Sequence, residues 1–161
     1  MENMSKNNKK GFTIIEVVLV LAIAGLIFLM VFIALPALQR SQRNTQRRQD
    51  MSRIVSAVTQ YQSNNKNNLP PSGTDGDWSS KYIGNAKTDQ RQDPDGNDYK
   101  VTVEGWSTSW SAPSKLDYVV HIVTGAECTG VETAPLKSAQ PKDFAVVYAL
   151  EGGALTCSDN K

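Results

Sequence analysis

The sequence holds little of the material from which metal centres and active sites are built. Its 161 residues include one histidine and two cysteines, which leaves little for a zinc site or a histidine-based active site. It also lacks a glycine-rich phosphate loop, an HExxH pair and a nucleophile elbow. The sequence therefore indicates neither an enzyme nor a bound cofactor.

A large excess of charge of either sign is missing as well. Lys and Arg total 17 and Asp and Glu total 16, so the formal net charge is +1. A dedicated nucleic-acid binder usually carries a strong positive balance, and the total charge does not indicate that class. The mean hydropathy of −0.37 is that of a soluble protein, but the apolar residues are concentrated near the N-terminus.

Residues 17–35 form a continuous hydrophobic run, VVLVLAIAGLIFLMVFIAL, without a charged side chain. A helix of this length covers about 28 Å, close to the thickness of a bilayer core. Basic residues lie on both sides, so the positive-inside rule alone does not orient it. A secretory signal peptide usually has a shorter apolar core. A plain membrane anchor leaves Glu16 unexplained, because a carboxylate near the centre of the bilayer costs about 2–3 kcal/mol, and less toward its edge.

The residues at the start of the run resemble those of a known family. The segment KKGFTIIEVVLVLAIAGLI closely resembles the class III signal of type IV pilins, with glycine, phenylalanine, threonine and glutamate at the spacing of its motif. The resemblance implies that a prepilin peptidase cuts between Gly11 and Phe12 and methylates the new amine of Phe12. Within a filament, Glu16 of one subunit would then neutralise the Phe12 amine of its neighbour, since paired charges attract far more strongly in a dry core than in water. Phe12 and Glu16 are therefore the expected assembly residues.

The helix is predicted to continue beyond the apolar run as an amphipathic segment over residues 39–68, ended by a Pro-Pro pair. Arginines between residues 40 and 53 are assigned to its other faces. A solvated face, or pairing with neighbouring subunits, is favoured for them over DNA binding, because no aromatic residues are interleaved for base stacking. Apolar residues recur at intervals of three and four, the spacing of one helical face: Met51, Ile54, Val55, Val58 and Tyr61.

Gly25 and Pro36 are the expected break points of this helix. Glycine lowers helix propensity by about 1 kcal/mol, and proline removes a backbone donor and crowds the preceding turn. The pilin resemblance implies that the helix between two such residues can melt in a filament. A simple kink at Pro36 is the alternative.

The remainder of the chain is expected to form a β-rich head. Residues 69–98 are polar and rich in turn formers, which predicts a long loop anchored by Trp78 and Tyr82. Strand patterns follow at residues 99–104, 118–123 and 144–150, with a short strand at residues 154–157. The predicted fold class is α+β: a long N-terminal helix whose apolar half protrudes and whose amphipathic half packs on a sheet of three or four antiparallel strands. The pilin resemblance implies the same layout.

Cys128 and Cys157 are expected to form a disulfide. The resemblance places the head outside the cytoplasmic membrane, where disulfides persist, and implies a C-terminal disulfide loop of the kind that pilins commonly carry. Two free, buried cysteines are the alternative.

The segment DPDGNDY allows two interpretations. Asp93, Asp95, Asn97 and Asp98 offer clustered oxygen ligands around a glycine, which suits Ca²⁺. The segment also resembles a motif of major pseudopilins of type II secretion, some of which bind calcium. Its spacing is not that of an EF-hand, and the same residues are typical of a β-turn before a strand. The turn is favoured, so no metal is expected.

His121 and the tryptophans are not assigned to a reaction. His121 lies in a predicted strand without a catalytic partner pattern, so a packed or surface position is expected. Trp78, Trp106 and Trp110 are interpreted as packing or surface-contact residues rather than a sugar platform, with an adhesive patch at GWSTSW as the alternative.

These features together predict a type IV pilin precursor. Residues 1–11 are the cleaved leader, 12–38 the transmembrane and assembly helix, 39–68 the amphipathic helix, and 69–161 the head. The precursor is expected in the cytoplasmic membrane and the product in an extracellular pilus for adhesion, surface motility or DNA uptake. Its expected partners are copies of itself, the prepilin peptidase and the pilus assembly machinery. A type II secretion pseudopilin is the close alternative, and a monomeric membrane-anchored binding module is a third.

Overall fold

The computed structural model describes residues 11–84, 91–131 and 135–161. Its contacts divide the chain into two compact units, residues 1–39 and residues 40–161, and the second unit is called the head below. Two helices and seven strands occupy the described residues: α1 Ile14–Asn64, β1 Gly73–Thr74, α2 Asp77–Tyr82, β2 Lys100–Gly105, β3 Val119–Thr124, β4 Ala126–Cys128, β5 Leu136–Ser138, β6 Phe144–Ala149 and β7 Leu155–Asp159.

Helix α1 contains the whole hydrophobic run. Among the described residues it is the helix long and apolar enough to cross a membrane, with a mean hydropathy of 3.2 over its most apolar window. Gly25 and Pro36 both lie inside it. Helix α1 runs through both residues in the subunit, since a proline removes only one backbone donor and the flanking turns continue the helix. Melting in a filament stays a prediction.

The second half of α1 is amphipathic, as its spacing predicts. Met51, Ile54 and Val58 are buried in the core of the head, and Val55 and Tyr61 are packed against that core. The helix ends at Asn64, ahead of the prolines. The two residues at positions 66 and 67 adopt left-handed backbone angles with φ of 55° and 60°, which cannot continue a right-handed helix.

The head sheet has five strands in the order β1-β2-β3-β6-β7. Strands β2 and β3 are parallel, with Val101 opposite Val120, and the other neighbours are antiparallel. The α+β fold is thus confirmed, but the expectation of three or four strands, all antiparallel, was wrong. Residues 106–118 are long enough for the crossover that a parallel pair needs, and β1 is too short to show an alternating pattern.

Both faces of the sheet are covered. On one face, Val120, Ile122 and Tyr148 share a core with the apolar stripe of α1. On the other face, Val123 and Ala145 pack with Trp106, Trp110 and the antiparallel pair β4-β5. Strand β6 lies between β3 and β7 and every residue in it is buried. Strands β4 and β5 are three residues each, too short for the alternating pattern that would have predicted them.

The segment after α1 is only partly a loop. It contains β1 and α2, so the expectation of a long loop over residues 69–98 was wrong in this part, although residues 85–90 lie outside the described chain. The two aromatic anchors are found in α2. Trp78 is buried and its ring lies 5.8 Å from that of Tyr61, while the Tyr82 ring lies 5.2 Å from Tyr61.

Candidate assembly and processing site

The predicted cleavage point lies before the first helical turn. Helix α1 begins at Ile14, and Phe12 is 90% exposed. A side chain added at Gly11 would meet no described atom within 4 Å, so local packing does not require glycine there. The Gly11–Phe12 bond is therefore exposed and lies outside the helix, where a peptidase can reach it. Residues 1–10, the remainder of the predicted leader, lie outside the described residues.

Thr13 and Glu16 form the glutamate half of a capping box at the start of α1. The Thr13 backbone N–H and its hydroxyl each donate to Oε2 of Glu16 at 2.8 Å. The carboxylate thereby satisfies one backbone donor at the start of the helix, the N–H of Thr13. Glu16 thus has a structural partner within its own subunit. The spacing Thr-x-x-Glu is the sequence signal for this cap, and the sequence analysis assigned Glu16 to assembly alone.

Residues 6–32 match the family model described as the prokaryotic N-terminal methylation motif. The chain carries a type IV pilin-like class III signal peptide. The match covers the predicted cleavage point, Glu16 and most of the apolar run, and it points to a structural protein that starts as a membrane-anchored precursor, processed by prepilin peptidase. Neither the search of curated proteins nor that of solved structures found a match.

Arg47 is among the largest fully buried side chains of the described head. The sequence interpretation assigned it to a solvated or intersubunit face. Its side chain is fully buried. Nε and Nη2 donate to the two oxygens of Asp93, each at 2.7 Å, and Nη2 also donates to Asp95 at 2.7 Å. Nη1 donates to Glu151 at 2.6 Å and to Asn44 at 3.1 Å. A guanidinium binds two carboxylate oxygens side by side, which fixes its geometry.

Arg43 extends this arrangement, one helical turn earlier. Its Nε and Nη2 donate to the two carboxylate oxygens of Glu151 at 2.6 and 2.7 Å, and its Nε lies 3.2 Å from Asp95. The hydrogen bonds from Arg43 and then Arg47 lower the pKa of Glu151 to about 2. Arg43, Arg47, Asp93, Asp95 and Glu151 are called the ionic cluster below. The arginines pair with acids of their own head, which corrects the sequence interpretation.

Two buried tyrosines complete the surroundings of the ionic cluster. Tyr148 donates its hydroxyl to Asp93 at 3.0 Å, and Tyr99 donates to Asp50 at 3.0 Å. Burial raises the pKa of both tyrosines, so they remain protonated donors. Burial on its own would raise the pKa of Asp93, but the hydrogen bonds and charge of Arg47, with Tyr148, hold it below the ordinary value. Asp93 is therefore a buried carboxylate with a full set of donors.

The candidate calcium segment forms a turn held by arginine. The Gly96 amide donates to the Asp93 carbonyl at 2.7 Å, and the Asp95 amide donates to Oδ1 of Asp93 at 3.0 Å. Gly96 has φ of 84°, which a β-turn of this kind assigns to glycine. The carboxylates of Asp93 and Asp95 face Arg47, while Asn97 and Asp98 are exposed. Within the described ranges, no group of three or more His, Cys, Asp and Glu side chains is arranged to hold a metal.

The signal for Arg47 was present in the sequence. It lies four residues before Met51, and Arg43 lies four residues before Arg47, so both continue the buried stripe of α1 toward its N-terminal side. Their acidic partners lie 46 to 108 residues away in the chain, and no local pattern marks them.

The two cysteines form a disulfide on the face of the sheet that packs against β4-β5. Cys128 ends β4 and Cys157 lies in β7, with 5.9 Å between their Cα atoms. The bridge links the β4-β5 pair to an edge strand of the main sheet.

His121 on β3 shares the carboxylate of Glu104 with Trp110. Its Nδ1 lies 2.8 Å from Glu104 Oε1, to which Trp110 Nε1 donates at 2.9 Å. The residues of GWSTSW thus contribute packing as well as surface.

Proposed function

We propose that this chain is a structural subunit of a type IV pilus, processed between Gly11 and Phe12 and polymerised through the N-terminal part of α1. The observation that carries the proposal is the match of residues 6–32 to the N-terminal methylation motif. The precursor resides in the cytoplasmic membrane, and the product is an extracellular filament on the cell surface. Copies of the chain are its main partners, and the filament acts in adhesion, surface motility or DNA uptake.

Assembly is proposed to exchange one partner of Glu16 for another. In the subunit, its carboxylate accepts two hydrogen bonds from Thr13. In the filament, it would face the cationic amine of a neighbouring Phe12 in surroundings without water. A carboxylate in such surroundings is strongly stabilised by a charged partner and strongly destabilised without one. The exposed apolar side chains of residues 12–38 then pack against those of other subunits.

The processing step is tested by mass spectrometry of surface-sheared filaments. We expect a mature N-terminus at Phe12 carrying one methyl group, and intact chain beginning at Met1 only in the membrane fraction. An uncut Gly11–Phe12 bond in cells that contain prepilin peptidase, with no polymer, would instead indicate the monomeric membrane-anchored module.

Two substitutions separate the charge of Glu16 from its capping role. Glutamine at this position still accepts the hydrogen bonds of a capping box but carries no charge. We expect Glu16→Gln and Glu16→Ala both to abolish or strongly reduce filaments, with normal head folding. Filaments formed by Glu16→Gln and lost only in Glu16→Ala would show that capping, and not charge pairing, is what assembly needs.

A type II secretion pseudopilin is the second candidate, favoured by the resemblance of DPDGNDY to a pseudopilin motif. The disulfide between Cys128 and Cys157 favours the pilin. Electron microscopy of cells expressing the chain at its natural level discriminates the two. Long surface fibres labelled by an antibody to the head support the pilus. Cells that need this chain for type II secretion but form no such fibres support the pseudopilin.

A further inference from the structure

A cationic cavity lies in the head, beside the turn that joins β6 to β7. It has a volume of about 460 Å³, and Arg40 and Lys115 line it together with Leu116, Leu150 and Gly152-Gly153. Arg40 and Lys115 are both exposed. Neither makes an ion pair with any residue that the structure describes, whereas Arg43 and Arg47 on the same helix are fully engaged. The cavity therefore has two positive charges available to a ligand.

The one acidic residue among the lining side chains does not cancel this charge. Glu151 borders the cavity, but its carboxylate accepts three hydrogen bonds from Arg43 and Arg47, at 2.6 to 2.7 Å. The two guanidinium groups are shared with Asp93 and Asp95, so the ionic cluster as a whole carries a net charge of −1, against the two positive charges of Arg40 and Lys115. Because the acids of the cluster are bound to arginines while Arg40 and Lys115 are not, the net positive charge of these groups lies at the cavity, and it favours an anion.

The glycine pair keeps the rim of the cavity open. Gly152 and Gly153 have φ of 90° and 83°, a left-handed conformation that other residues rarely adopt. A side chain added at either glycine would meet no described atom within 4 Å, so nothing else fills this space. The turn therefore exposes backbone rather than side chains beside the two cations, which leaves room for a bulky anionic group.

The position of Arg40 in the chain identifies the source of the anion. Arg40 follows Leu35, the last residue of the hydrophobic run, by five residues. Even a fully extended chain of that length spans at most about 18 Å, and a helix spans about 8 Å. The headgroup layer on each side of a bilayer core is roughly 5–8 Å thick. Arg40 is thus tethered close to phospholipid headgroups whenever the hydrophobic run crosses a membrane.

We propose that this cavity binds the phosphate group of an anionic phospholipid and seats the head of the membrane-anchored precursor on the bilayer. Arg40 and Lys115 supply the positive charge, and Leu116 and Leu150 provide an apolar wall beside it. This inference rests on the membrane-anchored precursor of the proposed function. It adds a lipid ligand and a contact that must break when the subunit leaves the membrane for the filament.

The test uses the full chain in lipid nanodiscs made of phosphatidylcholine alone or of phosphatidylcholine mixed with phosphatidylglycerol. Hydrogen exchange is followed in peptides covering residues 112–116 and 150–154. We expect exchange to be slower by roughly 5- to 30-fold in the anionic nanodiscs, since each of the two basic residues contributes about fivefold attraction to an anionic surface. The double variant Arg40→Gln/Lys115→Gln should lose the difference, and added salt should reduce it.

Lys100→Gln is the matched control, because Lys100 is an exposed cation on β2 outside the cavity. It should retain the slower exchange. Equal exchange in both lipid compositions, or equal loss in both variants, would overturn the proposal. Protection by inorganic phosphate in phosphatidylcholine nanodiscs would also overturn it, since the cavity would then be a free-anion site. Failure of the pilus proposal would appear separately, as an uncut Gly11–Phe12 bond or absent filaments.

Discussion

Replacing Arg47 by leucine removes the centre of the ionic cluster and leaves its acids behind. The substitution keeps a side chain of high helix propensity at this position of α1, so the helix itself is little affected. Asp93 loses the paired bonds of 2.7 Å from Nε and Nη2, and its side chain has no exposure to water. Glu151 retains Arg43, and Asp95 is partly exposed. The penalty therefore falls mainly on Asp93.

The expected loss of stability is about 3–5 kcal/mol at neutral pH, the cost of leaving one member of a buried ion pair without its partner. Domains of this kind are stable by about 5–15 kcal/mol, so Arg47→Leu should weaken the head severely. Arg48→Leu is the matched control on the next residue of the same helix. Arg48 is exposed, and a change of under about 0.5 kcal/mol is expected there.

Urea unfolding of the full chain in detergent micelles measures both variants. The fluorescence of Trp78, Trp106 and Trp110 reports on the head alone, because all the tryptophans lie there. Asp93→Asn provides the double-mutant cycle. Asparagine still accepts hydrogen bonds but carries no charge, so Arg47→Leu/Asp93→Asn should lose less stability than the sum of the single variants.

The pH dependence of the stability loss in Arg47→Leu follows from the charge of Asp93. In the wild type, the pKa of Asp93 lies below its ordinary value, so its contribution is present at neutral pH and is lost as the pH falls through the folded pKa. Without Arg47, burial raises that pKa and protonation relieves the penalty. The difference between Arg47→Leu and wild type should therefore shrink as the pH falls from the raised pKa of Asp93 in the variant toward its lowered pKa in the wild type. A variant within 0.5 kcal/mol of Arg48→Leu at pH 7, or a pH-independent deficit, would refute this reasoning.

Three further predictions concern the head. Replacing Cys128 and Cys157 by serine should lower its stability by about 3.5 kcal/mol, from the entropy of the loop they close; urea unfolding at an unchanged midpoint would contradict it. Chelation with EDTA should leave the thermal midpoint of the head unchanged, since Arg47 engages the carboxylates of the DPDGNDY turn; a lower midpoint would restore the calcium interpretation. Between pH 4.5 and about 2 the head should lose stability on acidification, because unfolded Glu151 binds its proton near 4.5 and folded Glu151 only near 2; circular dichroism showing constant stability through this range would contradict it.

The periodic elements of the fold were predictable from the sequence because each is a local pattern. The stripe through Met51, Ile54 and Val58 is buried as its spacing predicts. Strands β2, β3 and β6 begin within one residue of the predicted starts. The parallel pairing of β2 with β3 was not predictable in the same way. Strand direction depends on the path of residues 106–118, which contain no periodic pattern.

For Arg47 of the ionic cluster, one property was predictable from local sequence and another was not. The position of Arg47 on the buried face was available from its spacing to Met51. Predicting that Arg47 is buried nevertheless required knowing its acidic partners, because an arginine is rarely buried without them. Asp93 and Glu151 come from a turn before β2 and from the turn after β6. Only the folded chain brings these segments to one helical face.

The processing segment could be identified from local sequence, whereas the ionic cluster of the head could not, and the reason is physical. A peptidase that cuts exposed extended chain recognises side chains in sequence order, so the motif around Gly11 and Phe12 must be readable as a linear pattern. The contact between Thr13 and Glu16 is also readable as a linear pattern, since the two residues lie within one helical turn. The residues of the ionic cluster in the head instead contact partners 46 to 108 residues away, so their spacing follows the fold. The family model accordingly matches a linear segment, residues 6–32, whereas the ionic cluster of the head depends on contacts between distant segments.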